Sequence, residues 1–412
     1  MSITHLGRLI VLLISLNLMQ PFAALAQTNA PAPLSPAAQE AVEKGITAAK
    51  LPDYPLAIRY FEEARKLAPE APVIYLNLGL AESKISGREL RAMAWFGAYL
   101  AAYSDAPNAA AVKEQIAVLD EKNQSNLSRM IKTMEDTAYQ IPTTEWWLKE
   151  QIPGEPRSWG LEKVVELCDM NGDFAAALKI ADSIPNHLWK CLLQERVGYA
   201  QIEAGDLKGA RQTFVMAMQT ANQLKPQNIG DGRISVRVVD SADGHAKTGD
   251  IAGALQSANS LSDDYFKSQA QFTIADVQAG AGDAAGSQAT FALADQTAKH
   301  IKGAARKKVI QDFLAEQRKN RDSEKPKDAS GQSTNTVPPP IGAKDWISTN
   351  ETLLNAPVFL DLNAFLKSMP PADYERTFEN LGGLYDPTKK IADARKIIIQ
   401  MLKQQAQPPS KP

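Results

Sequence analysis

The chain is 412 residues long and close to neutral, with 45 Lys+Arg against 47 Asp+Glu, and only 7% of it is aromatic. That balance leaves no large basic face for a nucleic acid, and four His and two Cys give metal and thiol chemistry little to work with. The length has room for two or three modules.

Residues 1–26 read as a secretory signal peptide. Arg8 supplies the positive start, Leu9 to Met19 is an apolar run, and Ala24-Leu25-Ala26 is a small-x-small cleavage site. A membrane span needs about 20 apolar residues, so cleavage is expected in preference to an uncleaved anchor. No Cys follows the cleavage site, which argues against a lipid anchor, and no later stretch reads as a span. The expected mature protein begins at Gln27 and is exported and soluble, in the bacterial periplasm. Residues 27–37 (QTNAPAPLSPA) are Pro/Ala-rich and are expected to form a disordered lead-in.

From residue 38 a repeat emerges. Gly45 is followed by Ala57, Phe61, Ala64 and Pro69, at steps of 12, 16, 19 and 24. Small residues let two antiparallel helices approach, Phe61 fills the space between them, and Pro69 ends the second helix. The next unit carries Tyr75, Leu78-Gly79, Ala92 and Phe96. Further on, Gly172–Ala298 is one helical unit written twice, 77 residues apart. Gly172-Asp173 returns as Gly249-Asp250, Gly205-Asp206 as Gly282-Asp283, and Thr213-Phe214 as Thr290-Phe291. Within each copy the two Gly-Asp pairs lie 33 residues apart, a period that marks stacked helix–turn–helix repeats. The four Asp residues are expected to cap helix starts.

This spacing resembles the tetratricopeptide repeat family. Gly45, Ala57, Phe61, Ala64 and Pro69 match its small, small, aromatic, small and proline positions. Gly198, Ala210, Phe214 and Ala217 repeat the steps, as do Ala275, Ser287, Phe291 and Ala294 in weaker form. The resemblance implies an all-α fold: an α-solenoid of tetratricopeptide-like hairpins in two arrays, plus a short helical C-terminal segment. The expected boundaries are a hairpin pair at 38–104, a long helix and aromatic connector at 105–159, and four hairpins at 160–319. A disordered linker follows at 320–343, then a helical segment with a disordered end at 344–412. Within these, 108–140 reads as one helix, Lys225–Gly232 as a region absorbing excess length, and 301–319 as a closing helix. Trp146-Trp147 reads as packing, with a partner hot spot as the alternative. The tail suggests two or three short helices around Val358-Phe359-Leu360, Phe365-Leu366, Phe378 and Ile397 to Leu402. It forms either a separate module or a segment folded back along the arrays.

No reaction chemistry emerges. His187, His245 and His300 lack partners at metal-ligand spacing and read as solvated or turn-region residues. Glu82-Ser83 matches the catalytic pair of helical lytic transglycosylases in residue type but lacks the motifs that follow it there. Cys168 and Cys191 fall at opposite ends of roughly parallel helices, so two unpaired, mostly buried thiols are expected rather than a disulfide. No cofactor or metal is expected, and the chain does not read as an enzyme.

What remains is a surface. In this family the inner face is lined by the first helix of each repeat. The resemblance therefore puts Val42, Ile46, Leu76, Asn77 and Leu80 there in the first array, and Glu195, Arg196, Tyr199, Arg237, Asp240 and Asp276 in the second. An apolar groove suits an amphipathic helix or extended hydrophobic segment; coverage by the chain's own lead-in or tail is the alternative. The reading is an exported, non-catalytic scaffold for a protein or peptide partner in the cell envelope. The alternatives are an assembly or secretion accessory that oligomerises through its C-terminal helices, and an enzyme whose repeats support a catalytic C-terminal segment. The oligomeric state is not legible.

Overall fold

A computed structural model describes residues 33–142, 156–224, 232–323, 342–354, 365, 367–369 and 374–406. Residues 1–26, read from sequence as a signal peptide, residues 27–32 of the expected lead-in, Trp146-Trp147, most of 225–232 and of the expected linker, and Val358-Phe359-Leu360 lie outside that set. The described residues form sixteen helices and no strand. None of these helices is long and apolar enough to cross a membrane. The chain divides into two compact units, 1–129 with 336–369 and 390–412, and 130–335 with 370–389.

The first unit begins with two hairpins. Helices α1 (Pro36–Lys50) and α2 (Tyr54–Leu67) form one, α3 (Pro72–Ser83) and α4 (Glu89–Ala102) the other. Ser35 caps α1 through its side chain, so the helix takes in Pro36 and Ala37, read from sequence as lead-in. Close approach is set by glycine: a Cβ on Gly45 would lie 2.4 Å from the Phe61 ring, and one on Gly79 2.6 Å from the Phe96 ring. Glu82 is buried and ion-paired with Arg88 and Arg91 at 3.2 and 3.1 Å, which gives it a structural place in the hairpin. Helix α5 (Ala109–Gln140) is the single long helix expected at 108–140; its residues to 129 belong to this unit.

The second unit carries the duplicated segment as hairpins α6–α7 (Pro156–Met170, Phe174–Asp182), α8–α9 (His187–Glu203, Leu207–Ala221), α10–α11 (Arg233–Lys247, Ile251–Ser260) and α12–α13 (Asp264–Gly280, Ala284–Lys299). Helix α14 (Ala304–Ser323) follows, displaced from the expected 301–319. Each hairpin packs on the next through its first helix, α6 on α8, α8 on α10 and α10 on α12, as a tetratricopeptide-like solenoid requires.

One turn recurs four times. Gly172, Gly205, Gly249 and Gly282 have φ between 75° and 83°, the left-handed region. The following Asp donates its backbone N–H to the carbonyl five residues back, closing the turn, as in Asp206 to Gln201 at 2.8 Å. The same Asp then caps the next helix, Asp206 Oδ1 accepting from Gly209 N at 2.9 Å and Asp283 Oδ1 from Gly286 N at 2.9 Å. The expected capping role is what the structure displays.

The tail departs from expectation in its second helix. Besides α15 (Ala343–Leu354), its second main element is a 32-residue helix, α16 (Tyr374–Gln405), which continues through Pro387 where short helices were expected. Its residues to 389 belong to the second unit and the rest to the first. In the first unit Arg395 pairs with Asp120 of α5 at 2.8 Å. In the second, Phe378 stacks on Trp159 of α6 with centroids 4.5 Å apart.

Candidate partner-binding face

In the first unit the sequence-selected positions separate by burial. Val42 and Leu76 pack inside the hairpins, whereas Ile46, Asn77 and Leu80 are half-buried and reach the surface of α1 and α3. Asn77 donates to the Val73 carbonyl of its own helix at 2.9 Å. The helix that returns from the tail, α15, packs instead on α4, a second helix. A cleft of 560 Å³ opens at the loop end of the same unit, among Leu34, Leu67, Pro69, Pro72 and Tyr103.

In the second unit most of the selected residues are engaged with neighbouring first helices. Glu195 is buried, accepts from Arg237 of the next first helix and from Ser241 at 3.3 Å, and meets the Cys191 thiol at 3.5 Å. Burial pushes its carboxyl up to about 7, against the pull of Arg237. Arg237 also holds Asp240 at 2.7 Å. Tyr199 donates to Asp243 at 2.7 Å and to the Asp240 carbonyl at 3.0 Å, and burial with Asp243 beside it raises its hydroxyl. Arg196 reaches the opposite way, to Glu166 at 3.2 Å, Glu162 at 3.6 Å and Asp169 at 3.9 Å on α6. Asp169 is nearly buried, its oxygens have no hydrogen-bond partner among the described residues, and desolvation raises it to about 7. These charges tie successive first helices together. Asp276, by contrast, is exposed on α12.

The duplication separates frame from face. Gln201 accepts from Thr213 and donates to Asp206, and Gln278 does the same with Thr290 and Asp283. Thr220 donates to Gln194 as Thr297 does to Gln271; Cys191 donates to the Ala217 carbonyl as Ser268 does to that of Ala294. The first-helix positions outside this frame do not repeat: Glu195, Arg196 and Tyr199 become Phe272, Thr273 and Asp276. The contact to the next first helix changes with them, from the Glu195–Arg237 ion pair to Phe272 edge-on to Phe313 at 4.9 Å.

Similarity to known proteins is confined to structure. No protein-family model matches the chain. No curated protein matches it. Among solved structures it is similar to a tetratricopeptide repeat protein from Parabacteroides merdae, at 14% identity over 68% of this chain and 98% of that one, with a TM-score of 0.22. It is also similar to the assembly chaperone of RpL4, Acl4, at 14% identity over 60% of this chain and 97% of that one, with a TM-score of 0.21. The repeat architecture rests on the turns and hairpins themselves.

The sequence reading missed two features of the site. His245 keeps the turn-region half of its expected reading but is buried beside the Gly249 turn, and its Nδ1 lies 3.3 Å from Asp250 where the Gly205 and Gly282 turns place Gln201 and Gln278 against their Asp. Its position five residues before a turn Asp was the available signal. Desolvation lowers its pKa, ahead of the opposing pull of Asp250. The inter-helix charge ladder was not legible, because Glu195 and Arg237 are 42 residues apart and no local pattern pairs them. Cys168 and Cys191 are both free and buried, and burial raises the Cys168 thiol to about 12.

Proposed function

We propose that this chain is an exported, non-catalytic repeat scaffold that holds a protein or peptide segment in the bacterial cell envelope, using the first-helix faces of its hairpins. The observation that carries this reading is the internal duplication. Two copies keep the same turns and buried hydrogen bonds while first-helix residues outside that frame diverge, from the half-buried Arg196 and Tyr199 to Thr273 and the exposed Asp276. A frame held constant under a changing face is what a binding surface needs, and it asks for no reacting group. In the first unit the half-buried apolar residues Ile46 and Leu80 beside Asn77 suit an amphipathic helix or extended apolar segment. The use of α15 and α16 in packing within each unit favours this reading over self-association through the tail.

The test is capture from an envelope extract by the mature chain from Gln27, compared with Ile46→Glu and Leu80→Glu chains of unchanged circular dichroism. Partners retained by the parent and lost by both variants are expected. An identical set of captured proteins from all three would contradict the reading.

A further inference from the structure

In the first unit the chain's own tail helix α15 packs on the second helix α4. Trp346 of α15 is completely buried. Its indole N–H donates to the Ala94 carbonyl at 3.2 Å, and its ring lies over Gly97, where a Cβ would come within 1.9 Å of it. The three atoms nearest to that Cβ all belong to Trp346, so the missing side chain at Gly97 is what admits the indole. At the rim Arg65 of α2 pairs with Glu351 at 3.2 Å and sits over the Trp95 ring at 5.6 Å.

The fit fails one turn further along. Asn350, four residues after Trp346 on the same face, is 1% exposed, and neither its Oδ1 nor its Nδ2 has a hydrogen-bond partner among the described residues. A buried carboxamide without partners is costly, and an apolar side chain of similar size at that position avoids the cost. The helix in the groove is therefore not the one that the groove would bind most tightly.

We propose that the groove over Gly97 is a receptor for an amphipathic helix of a partner protein that carries Trp and, four residues later, an apolar side chain, and that α15 is a weaker placeholder which such a helix displaces. This surface lies on α2 and α4, apart from the first-helix faces, so its failure leaves the scaffold reading untouched and the reverse also holds.

The probes are fluorescent peptides of residues 342–354, one native and one with Asn350→Leu, titrated into the full chain by anisotropy. A Trp346→Ala chain, its own helix loosened, is expected to bind the native peptide at least tenfold more tightly than wild type does. It should bind the Asn350→Leu peptide about tenfold more tightly again. Adding Gly97→Ala should abolish both, because the new Cβ occupies the indole's place. Binding to a folded Trp346→Ala chain that is absent, or indifferent to Gly97→Ala, overturns the proposal. If Trp346→Ala unfolds the unit, hydrogen exchange on the wild-type chain decides. Excess Asn350→Leu peptide should speed exchange across 343–354, and unchanged exchange overturns the proposal. A wild-type dimer in which α15 is exchanged between copies would make a second copy the occupant and overturn the assignment to a foreign partner.

Discussion

At the scale of single residues, the repeat is held by a glycine and the aspartate that follows it. A Cβ on Gly205 would meet nothing within 4 Å, so Gly205→Ala costs only what its φ of 83° costs an L-residue, about 1–2 kcal/mol. Gly205→Asn should recover part of that loss, and Asp206→Ala should cost about 1 kcal/mol through the lost cap. Urea midpoints compared at constant slope measure all three. Asp169 makes a different prediction. Its folded-state pKa is raised from 3.8 to about 7, mainly by desolvation, with Arg196 opposing and Glu166 adding to the rise. The native chain then holds more protons than the unfolded chain across that window, so stability falls as pH rises through it. Glu195, also raised to about 7, acts with the same sign. Asp169→Asn should remove part of the slope and leave the chain more stable at pH 8 by on the order of 1–3 kcal/mol, read from urea titrations at pH 4.5 and 8.

At the scale of elements, the two 77-residue copies are matched experiments within one chain. Thr213→Val removes the donor to a buried Gln201 oxygen, and Thr290→Val does the same to Gln278. Each should cost about 1–3 kcal/mol, and the two costs should be alike, because both networks include the same turn aspartate. Unequal costs in calorimetry would break the claim that the frame is shared. Hairpins, turns and aromatic fillers were legible because their causes are local: Gly45 and Phe61 lie 16 residues apart, and the Gly-Asp signal occupies two. The seat of Trp346 was not, since its partners at Ala94 and Gly97 lie about 250 positions earlier and no period links them. The length of α16, which runs through Pro387, was not legible either. Proline is expected to end a helix, yet Thr388, which follows it, is fully buried and donates its hydroxyl to the Leu384 carbonyl one turn back.

At the scale of the whole molecule, each unit uses its apolar tail residues internally and leaves first-helix residues at the surface. Of the residues selected from sequence for the site, Ile46, Asn77 and Leu80 keep accessible surface, while Val42 and Leu76 serve the core. Helical period alone cannot separate the two groups, because a first helix in such a stack has two apolar flanks and only its neighbours decide which is covered. The most direct measurement is photo-crosslinking from a benzoylphenylalanine at position 77, on the first-helix face, against one at position 63, exposed on α2. In envelope extract the account predicts discrete protein adducts from position 77 and none from position 63. Adducts from 63 alone, or from neither, would contradict it.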